Sequence, residues 1–251
     1  MNIKFTPTFN VSKDFYPTPA SAKVPEWYKL QESYNGVSTK KPDGSGKTTA
    51  TIKRCMPVFD AICSGYLIYS YVDVYVSQQQ FLSPEGVPLS EEELQKKGGP
   101  STYPSYEWPA YEPVQFHPVI QAPLHPGRKN LSLDMAYPKW ISPWSIHTPK
   151  GYSVLITPPM HHNLPFTILS GVVDTDTYHP PVNFPFVFND WGFEGMIPAG
   201  TPIAQITPFK RDSWSMKVGD QKDLAADERD FIRISFFDEY KNKYRQTKQY
   251  K

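Results

Sequence analysis

The chain contains 251 residues, and its 26 lysines and arginines are balanced by 25 aspartates and glutamates, which leaves a formal net charge of +1. A chain of this length can bury one good core with appendages, or two small cores. The balanced charge produces no global field toward nucleic acid or a membrane surface, so neither is an expected partner.

Proline and aromatic residues stand out in the composition. The chain has 27 prolines, which is about twice the usual share of roughly 5%. Aromatic residues make up 15% of the chain, and disordered chains are poor in them, so plain disorder is excluded. Because proline is confined to sheet edges and turns, this composition predicts short strands joined by long ordered loops.

The sequence carries no pattern for export or membrane insertion. No apolar segment follows the first residues, Met1-Asn-Ile-Lys4, and no apolar run approaches about 18 residues. Cys55 and Cys63 lie eight residues apart without the spacing of metal-binding cysteine pairs. We therefore expect a protein made in a reducing cytoplasm and not secreted by a signal peptide. The carboxylates and imidazoles that could bind Zn or Fe include no trio of ligands at an established spacing, so we expect no metal site: Asp174, Asp176, His161, His162 and His179.

Residues 1–54 are predicted to form an N-terminal extension that ends in a loop. The pattern of the first 35 residues predicts an entry strand, a proline-rich turn and a short helix around Pro25–Ser33. Residues 36–50 are rich in glycine, serine, threonine and lysine, which predicts a loop.

Residues 55–212 are predicted to form the core. Apolar and polar residues alternate from Ile52 to Val76 on both sides of Gly65, which predicts two strands. Residues 81–138 form a proline-rich insertion with one predicted helix at Ser90–Lys97.

The second half of the core is predicted to be a series of strands, and the end of the chain to be helical. Strands are predicted within Trp140–Ile156, Thr167–Val173, Val182–Phe188 and Ile203–Ile206. In residues 213–251 the aromatic residues recur at helical spacing, which predicts a C-terminal helical segment. The basic residues near its end either complement the helix dipole or contact an acidic partner: Lys241, Lys243, Arg245, Lys248 and Lys251.

Two carboxylates, Asp174 and Asp176, follow the short apolar run Gly171–Val173. Two residues apart in an extended chain, their side chains point to the same side. One hypothesis is that Asp174 acts as a general base. The other is a turn in which the carboxylates bind local backbone amides.

Three segments resemble the sequence motifs of dUTPases. Gly-Val-Val-Asp-Thr-Asp at residues 171–176 is similar to the family pattern Gly-Val-Ile-Asp-Ser-Asp-Tyr, and Ile203-Ala-Gln205 is similar to the end of Gly-x-x-Ile-Ala-Gln. Gly65 and Tyr66 match the first family motif, Ser-Ala-Gly-Tyr-Asp-Leu. This resemblance implies a dUTPase-like β-clip core, so the expected fold is mainly β, with the proline-rich insertion and a C-terminal helix added.

The chain departs from the dUTPase pattern where the family handles phosphate. Pro159, Met160 and His161 stand at positions where the family has Arg, Ser and Gly. In the family, the Arg and Ser bind phosphate oxygens, which requires a guanidinium or a hydroxyl group. Leu67 replaces the Asp of the first motif, and the family's glycine-rich phosphate lid has no counterpart after Phe209. These departures argue against an enzyme, so we expect no catalytic residues and no cofactor.

The enzyme alternative names specific residues. If the chain is a divergent dUTPase-like nucleotide-binding protein or diphosphohydrolase using Mg²⁺, the resemblance implies catalytic roles for Asp174, Asp176 and Gln205, with Asp174 orienting the attacking water. The candidate ligand-binding residues are then Tyr66, Asp174 and Tyr178. In the family an aromatic residue just after the aspartates packs on the deoxyribose; here Thr177 holds that position, and Tyr178 follows it.

A second resemblance covers nearly the whole chain. Val24-Pro-Glu-Trp-Tyr-Lys, Lys53-Arg-Cys-Met-Pro-Val-Phe-Asp-Ala and the terminal Tyr-Lys-x-x-Tyr-Arg resemble a family of uncharacterised proteins of tailed phages and some bacteria. It implies a non-enzymatic structural or binding protein of phage type, such as a capsid-associated or decoration protein, located in the virion or the host cytoplasm. Because β-clip proteins often form trimers, the expected partners are copies of this chain in a homotrimer or other virion proteins.

The insertion supplies candidate interface residues. Aromatic side chains bury a large area at low entropic cost, and proline has already lost backbone freedom, so ordering such a segment against a partner is inexpensive. The candidates lie among prolines within residues 103–126: Tyr103, Tyr106, Trp108, Tyr111 and Phe116.

Overall fold

The computed structural model describes residues 1–35, 49–77, 80–82, 113–116, 138–190, 192–223 and 240–251. It divides the chain into two units, the first formed by residues 1–19 and 65–210, and the second by residues 20–64 and 211–251. The sequence placed residues 1–54 together as one extension, whereas the structure assigns their first 19 residues to the first unit. The predicted helix at Ser90–Lys97 and the candidate interface residues of the insertion lie outside the described residues, apart from the backbone of Phe116.

The described part of the chain is mainly β, which confirms the predicted fold class. Its strands, in chain order, are β1 (Lys4–Pro7), β2 (Thr18–Pro19), β3 (Tyr34–Asn35), β4 (Thr49–Ala50), β5 (Tyr66–Tyr69), β6 (Val74–Ser77), β7 (Gln80–Leu82), β8 (Val114–Phe116), β9 (Pro138–Trp140), β10 (Trp144–His147), β11 (Tyr152–Thr157), β12 (Phe166–Ile168), β13 (Gly171–Val173), β14 (Phe184–Phe188), β15 (Gly195–Ile197) and β16 (Pro202–Lys210). The strands predicted between Trp140 and Ile206 are therefore confirmed.

The largest sheet of the first unit has five antiparallel strands in the order β13-β11-β16-β5-β2. The remaining strands of this unit form the pair β1-β10, the sheet β12-β14-β9-β8 and the sheet β15-β6-β7. The long strand β16 lies at the centre of the five-stranded sheet, between β5, which carries Tyr66, and β11, which pairs with the strand that leads to the carboxylates.

Alternation along the strands produces the core of the first unit. In β14, Phe184, Phe186 and Phe188 are buried, while the two residues between them are only partly buried. The Phe186 ring stacks on Trp140 with the ring centroids 5.3 Å apart. Side chains of a strand point alternately to opposite faces, so this period-two pattern places the phenylalanines in one apolar layer.

Gly65 marks the point where β5 approaches β16. Its backbone has a φ of +70°, and a Cβ atom there would overlap the carbonyl oxygen of Ile206. Only glycine accepts both the left-handed backbone and this close contact, which explains its place between helix and strand.

The second unit contains short helices and the two-stranded pair β3-β4. Helix α1 spans Glu26–Leu30, which confirms the helix predicted around Pro25–Ser33. The prediction of a strand before Gly65 is wrong, because a 3₁₀ turn at Ile52–Arg54 is followed by helix α2 at Met56–Ile62. Pro57 lies in the first turn of α2 and favours the start of this helix. The N–H groups of a first turn have no acceptor within the helix, so the missing N–H of proline costs nothing there.

The end of the second unit is only partly helical in the residues described. Residues 211–220 form neither helix, strand, turn nor bend, and Gln221–Asp223 form one 3₁₀ turn. A single π-helical turn at Tyr240–Tyr244 lies within the predicted C-terminal helix, and residues 224–239 lie outside the description. No helix among the described residues is both long and apolar enough to cross a membrane.

Candidate functional site

The two carboxylates after β13 both bind the start of β11. Ser153 Oγ donates a hydrogen bond to Asp174 Oδ1 at 2.6 Å, and the Gly151 amide donates to Asp176 Oδ2 at 2.9 Å. Gly151 and Ser153 are two residues apart, as are the two aspartates. The arrangement ties the chain after β13 to the neighbouring strand.

The turn from Asp174 to Tyr178 is also closed by its own hydrogen bonds. The Asp174 carbonyl accepts from the amides of Thr177 and Tyr178 at 3.1 and 2.8 Å. Thr175 is buried, and its hydroxyl lies 2.8 Å from that of Thr148. The turn of the second hypothesis is therefore present, but the aspartate side chains bind Ser153 and Gly151, 21 and 25 residues away, and not the local backbone amides that were expected.

The loop that follows the turn is held by a histidine pair. The rings of His147 and His179 stack with centroids 4.5 Å apart, and Ser145 Oγ lies 3.0 Å from His147 Nε2 while donating to the His179 carbonyl. Burial, followed by the neighbouring His179, lowers the pKa of His147 below its usual value. A neutral His147 suits this contact, because two stacked imidazolium rings would repel each other.

Gln205 holds a different loop, at the other end of β11. It is fully buried in β16, opposite Thr157, and its Oε1 accepts a hydrogen bond from the Met160 amide at 2.8 Å. His161, next to Met160, has a φ of 63°, a left-handed conformation at the position where the resembled motif has glycine. The loop thus has a left-handed backbone at His161 and carries no guanidinium or hydroxyl side chain at Pro159 or Met160.

The structure does not bring the candidate catalytic residues together within one chain. Asp174 binds beside Ser153 and Gln205 pairs with Thr157, and four residues of a strand span on the order of 13 Å. In a single chain, the three residues of the enzyme alternative therefore lie at two ends of β11.

The candidate ligand-binding residues are separated as well. Tyr66 begins β5, three strands away from β13 in the sheet, which corresponds to about 14 Å at a strand spacing of about 4.8 Å. Its half-buried ring packs edge-to-face on Phe5 with centroids 5.5 Å apart. Tyr178 is 47% exposed beside Asp174. Tyr66 and Tyr178 therefore do not form one pocket within a chain.

No group of three His, Cys, Asp or Glu side chains in the described part of the chain is placed to hold a metal ion. Asp174 and Asp176, the two acidic side chains closest in sequence to the histidine pair, bind Ser153 and Gly151. The site geometry supports no Mg²⁺ position built from Asp174, Asp176 and Gln205, since these residues do not converge.

The second unit contains a charged cluster that the sequence did not predict. Asp60, on α2, accepts hydrogen bonds from Arg245 Nη2 at 2.6 Å, from Arg245 Nε at 3.1 and 3.2 Å, and from Lys248 Nζ at 2.9 Å. The Arg245 hydrogen bonds hold the pKa of Asp60 below its usual value. The basic tail was expected to complement a helix dipole or to contact an acidic partner, and neither alternative included this pairing of Arg245 and Lys248 with Asp60 of the same chain. Because 185 residues separate the pair, no local pattern could reveal it.

Comparisons with known proteins give limited matches. No family model matches the chain, and no curated protein matches it. Among solved structures, it is similar to a mutant dUTPase from phage phi11 of S. aureus, with 15% identity, coverage of 35% of this chain and 76% of that chain, and a TM-score of 0.26. The dUTPase of Staphylococcus bacteriophage 80alpha matches with 15% identity, coverage of 35% and 68%, and a TM-score of 0.24. The native EIAV dUTPase matches with 15% identity, coverage of 34% and 71%, and a TM-score of 0.25. At these scores the matches carry no argument about the fold or the activity of this chain.

Proposed function

We propose that this chain is a non-enzymatic structural or binding protein of phage type, and a virion component such as a capsid-associated or decoration protein. The non-enzymatic part of this proposal rests on the hydrogen bonds that the candidate catalytic side chains form. Asp174, Asp176 and Gln205 each accept a hydrogen bond from the chain's own loops and strands, at two ends of β11.

The loop at Pro159–His161 adds a chemical argument. Phosphoryl transfer depends mainly on positioning and on stabilising developing negative charge. Proline and methionine offer no side-chain donor, and the Met160 amide already donates to Gln205. A water-orienting aspartate without such a partner contributes little catalysis.

The virion role is supported by the resemblance of the whole chain to proteins of tailed phages. On this proposal the protein is located in the virion or in the host cytoplasm, and its partners are copies of this chain in a homotrimer or other virion proteins. The candidate interface residues of the insertion belong to this proposal.

Hydrolysis of dUTP with Mg²⁺ tests the non-enzymatic part. We expect no turnover above the uncatalysed background from the wild-type chain, and no difference in the Asp174→Asn variant. Turnover that Asp174→Asn abolishes would instead establish the divergent diphosphohydrolase, with Mg²⁺ as its cofactor.

Mass spectrometry of purified particles tests the virion part separately. We expect the protein in purified virions at a stoichiometry comparable to other lattice components. Its presence in infected-cell lysate together with its absence from washed virions would contradict the structural role.

A further inference from the structure

The second unit contains a cavity of about 320 Å³ that plays no part in the candidate site. The described residues that line it are three cations, two aromatic residues, a methionine and a serine: Lys53, Arg54, Lys241, Tyr28, Phe59, Met56 and Ser33. No acidic side chain lines the cavity among the residues that the structure describes. Its volume lies at the lower end of the range for small-molecule sites.

Three separate segments of the chain meet at this cavity. They are residues 24–29, 53–61 and 240–245, the segments of the second resemblance that the proposed function does not explain, and they supply six of the seven lining residues. The rings of Tyr28 and Phe59 stack with centroids 6.0 Å apart, which joins the first segment to the second. The cavity is therefore a product of the fold that no single stretch of sequence reveals.

Lys53 is held in a fixed position beside the cavity. Its Nζ donates a hydrogen bond to the Lys29 carbonyl at 2.5 Å and lies 5.8 Å from the centroid of the Tyr28 ring. The Lys53 carbonyl accepts from Tyr28 Oη at 3.2 Å, and its amide donates to Thr51 Oγ1 at 3.3 Å. An ammonium has three donors, so the contact with Lys29 leaves donors for a ligand. A lysine that is already ordered loses little entropy when it binds one.

The other two cations lie on either side of helix α2 in the sequence. Arg54 follows Lys53 in the 3₁₀ turn, and its guanidinium carbon lies 4.8 Å from the centroid of the Tyr34 ring, a cation–π contact. Lys241 belongs to the π-helical turn and is exposed. The lining thus combines one exposed cation with two that are half-buried.

The charge at the cavity is not neutralised by carboxylates. Within the described ranges, Lys53 and Lys241 form no ion pair, whereas Lys248 pairs with Asp60. The second unit has 17 lysines and arginines against 12 aspartates and glutamates, and the first unit has 9 against 13. The balanced charge of the whole chain is therefore divided unevenly, and the second unit attracts anions.

We propose that this cavity binds a small phosphate monoester with an apolar body. Lys53, Arg54 and Lys241 bind the phosphate oxygens through charge-assisted hydrogen bonds. Met56 and Phe59, which are both half-buried, contact the apolar body. This site goes beyond the proposed function and does not depend on it, because a protein without catalytic activity can also bind an anion.

The number of cations favours a phosphate monoester over other anions. A phosphate monoester carries about −1.5 to −2 charges at neutral pH and three strong acceptor oxygens, which suits three cations. A carboxylate carries a single negative charge, and at Asp60 one carboxylate already binds two cations of this unit. The phosphates within a nucleic acid strand also carry one charge each.

Isothermal titration calorimetry of the full chain with phenyl phosphate tests the site. We expect one molecule bound per chain, with an affinity that falls as the salt concentration rises. Lys53→Gln and Lys241→Gln should each weaken binding about tenfold or more, since each removes a charged hydrogen-bond donor. Lys23→Gln, at an exposed position of the same unit outside the cavity, is the matched control and should leave binding unchanged.

Two results with phenyl phosphate would overturn the proposal. One is the absence of binding, and the other is equal binding to the wild type, Lys53→Gln and Lys241→Gln. Lys241→Gln keeps the test decisive if Lys53→Gln destabilises the second unit, because Lys241 is exposed and its side chain makes no hydrogen bond within the described residues.

Further probes separate the possible sources of the anion. Orthophosphate lacks the apolar body, and benzoate has the ring but only one negative charge. We expect each to bind about tenfold more weakly than phenyl phosphate. Orthophosphate binding as tight as that of phenyl phosphate would overturn the apolar contact. Hexaglutamate or single-stranded oligothymidylate that binds more tightly than phenyl phosphate, and loses this affinity in Lys241→Gln, would assign the cavity to an acidic peptide or to nucleic acid and overturn the proposal.

Discussion

The carboxylates of the two units have different kinds of partner. In the first unit, Asp174 and Asp176 accept hydrogen bonds from a serine hydroxyl and a backbone amide, both uncharged. In the second unit, Asp60 is bound by the guanidinium of Arg245 and the ammonium of Lys248. The first unit also has a continuous apolar core drawn from several sheets, whereas the second is built from short helices and a two-stranded pair.

This difference predicts different responses to the surroundings. Hydrogen bonds to neutral donors depend weakly on ionic strength, whereas ion pairs near the surface are screened by salt. We therefore expect packing and backbone contacts to control the first unit, and pH and salt to act mainly on the second.

The largest effect is expected for Gly65→Ala, which tests the backbone packing of the first unit. The new Cβ would overlap the Ile206 carbonyl and would also force a side chain into a left-handed backbone. We expect a loss of about 3–5 kcal/mol in the free energy of unfolding, measured by urea denaturation.

Gly151→Ala is the matched control for this substitution. Gly151 also has a positive φ, of +85°, but no atom lies within 4 Å of the position of a Cβ there. Backbone strain alone should cost about 1–2 kcal/mol. Equal losses in the two variants would show that the close approach of β5 and β16 contributes nothing beyond strain.

A smaller loss is expected when the buried amide of Gln205 is removed. Gln205→Leu keeps a side chain of similar size but leaves the Met160 amide without its acceptor. A buried donor that loses its partner costs about 1–3 kcal/mol. Gln115→Leu, at an exposed position in β8, is the control and should change the unfolding free energy by less than about 0.5 kcal/mol. A loss no larger than that of the control would mean that water replaces Gln205 as the acceptor of the Met160 amide without a loss of stability.

The second unit should respond to pH through Asp60. The folded-state pKa of Asp60 is lowered, so its stabilising contribution is present above the unfolded value of about 3.9 and is lost as the pH falls through the folded value. Asp60→Asn should lower the unfolding free energy by about 1–2 kcal/mol at neutral pH, and by less as the pH falls below about 4.

Urea denaturation at neutral pH and near pH 3 measures this difference. Asp190→Asn is a suitable control, because Asp190 is exposed and its carboxylate accepts a hydrogen bond from the uncharged Gly192 amide two residues away. If the unfolding free energies of the wild type and of Asp60→Asn fell in parallel toward low pH, the ion pairs of Asp60 would not be the cause of the pH dependence.

The sequence predicted the strands of the first unit well and its contacts poorly. The phenylalanines of β14 alternate with less buried residues, so the strand was visible locally. The same alternation rule failed before Gly65, because Pro57 favours the first turn of a helix there.

In the candidate site, too, the sequence reveals features of neighbouring residues but not the contacts between residues far apart in the chain. That two carboxylates follow the apolar strand β13 is visible in the sequence alone. Their partners, Ser153 and Gly151, lie more than twenty residues earlier and depend on how β13 pairs with β11. The 185-residue separation of Asp60 and Arg245 exceeds any periodicity, so only the folded chain could reveal that pair.

The smallest expected effect separates the two cations at Asp60. Arg245 forms a two-pronged contact, and its side chain is 21% exposed, whereas Lys248 makes one contact and is 47% exposed. A planar guanidinium matches a carboxylate in a fixed geometry, while an exposed ammonium on a flexible stem loses entropy and is screened by salt. We expect Lys248→Ala to shift the urea midpoint less than Arg245→Ala does, and Arg245→Lys to recover only part of the loss. Raising the salt concentration should abolish the Lys248→Ala effect first. If Lys248→Ala proved as damaging as Arg245→Ala at high salt, the charge count at Asp60, rather than the geometry of the arginine, would control the second unit.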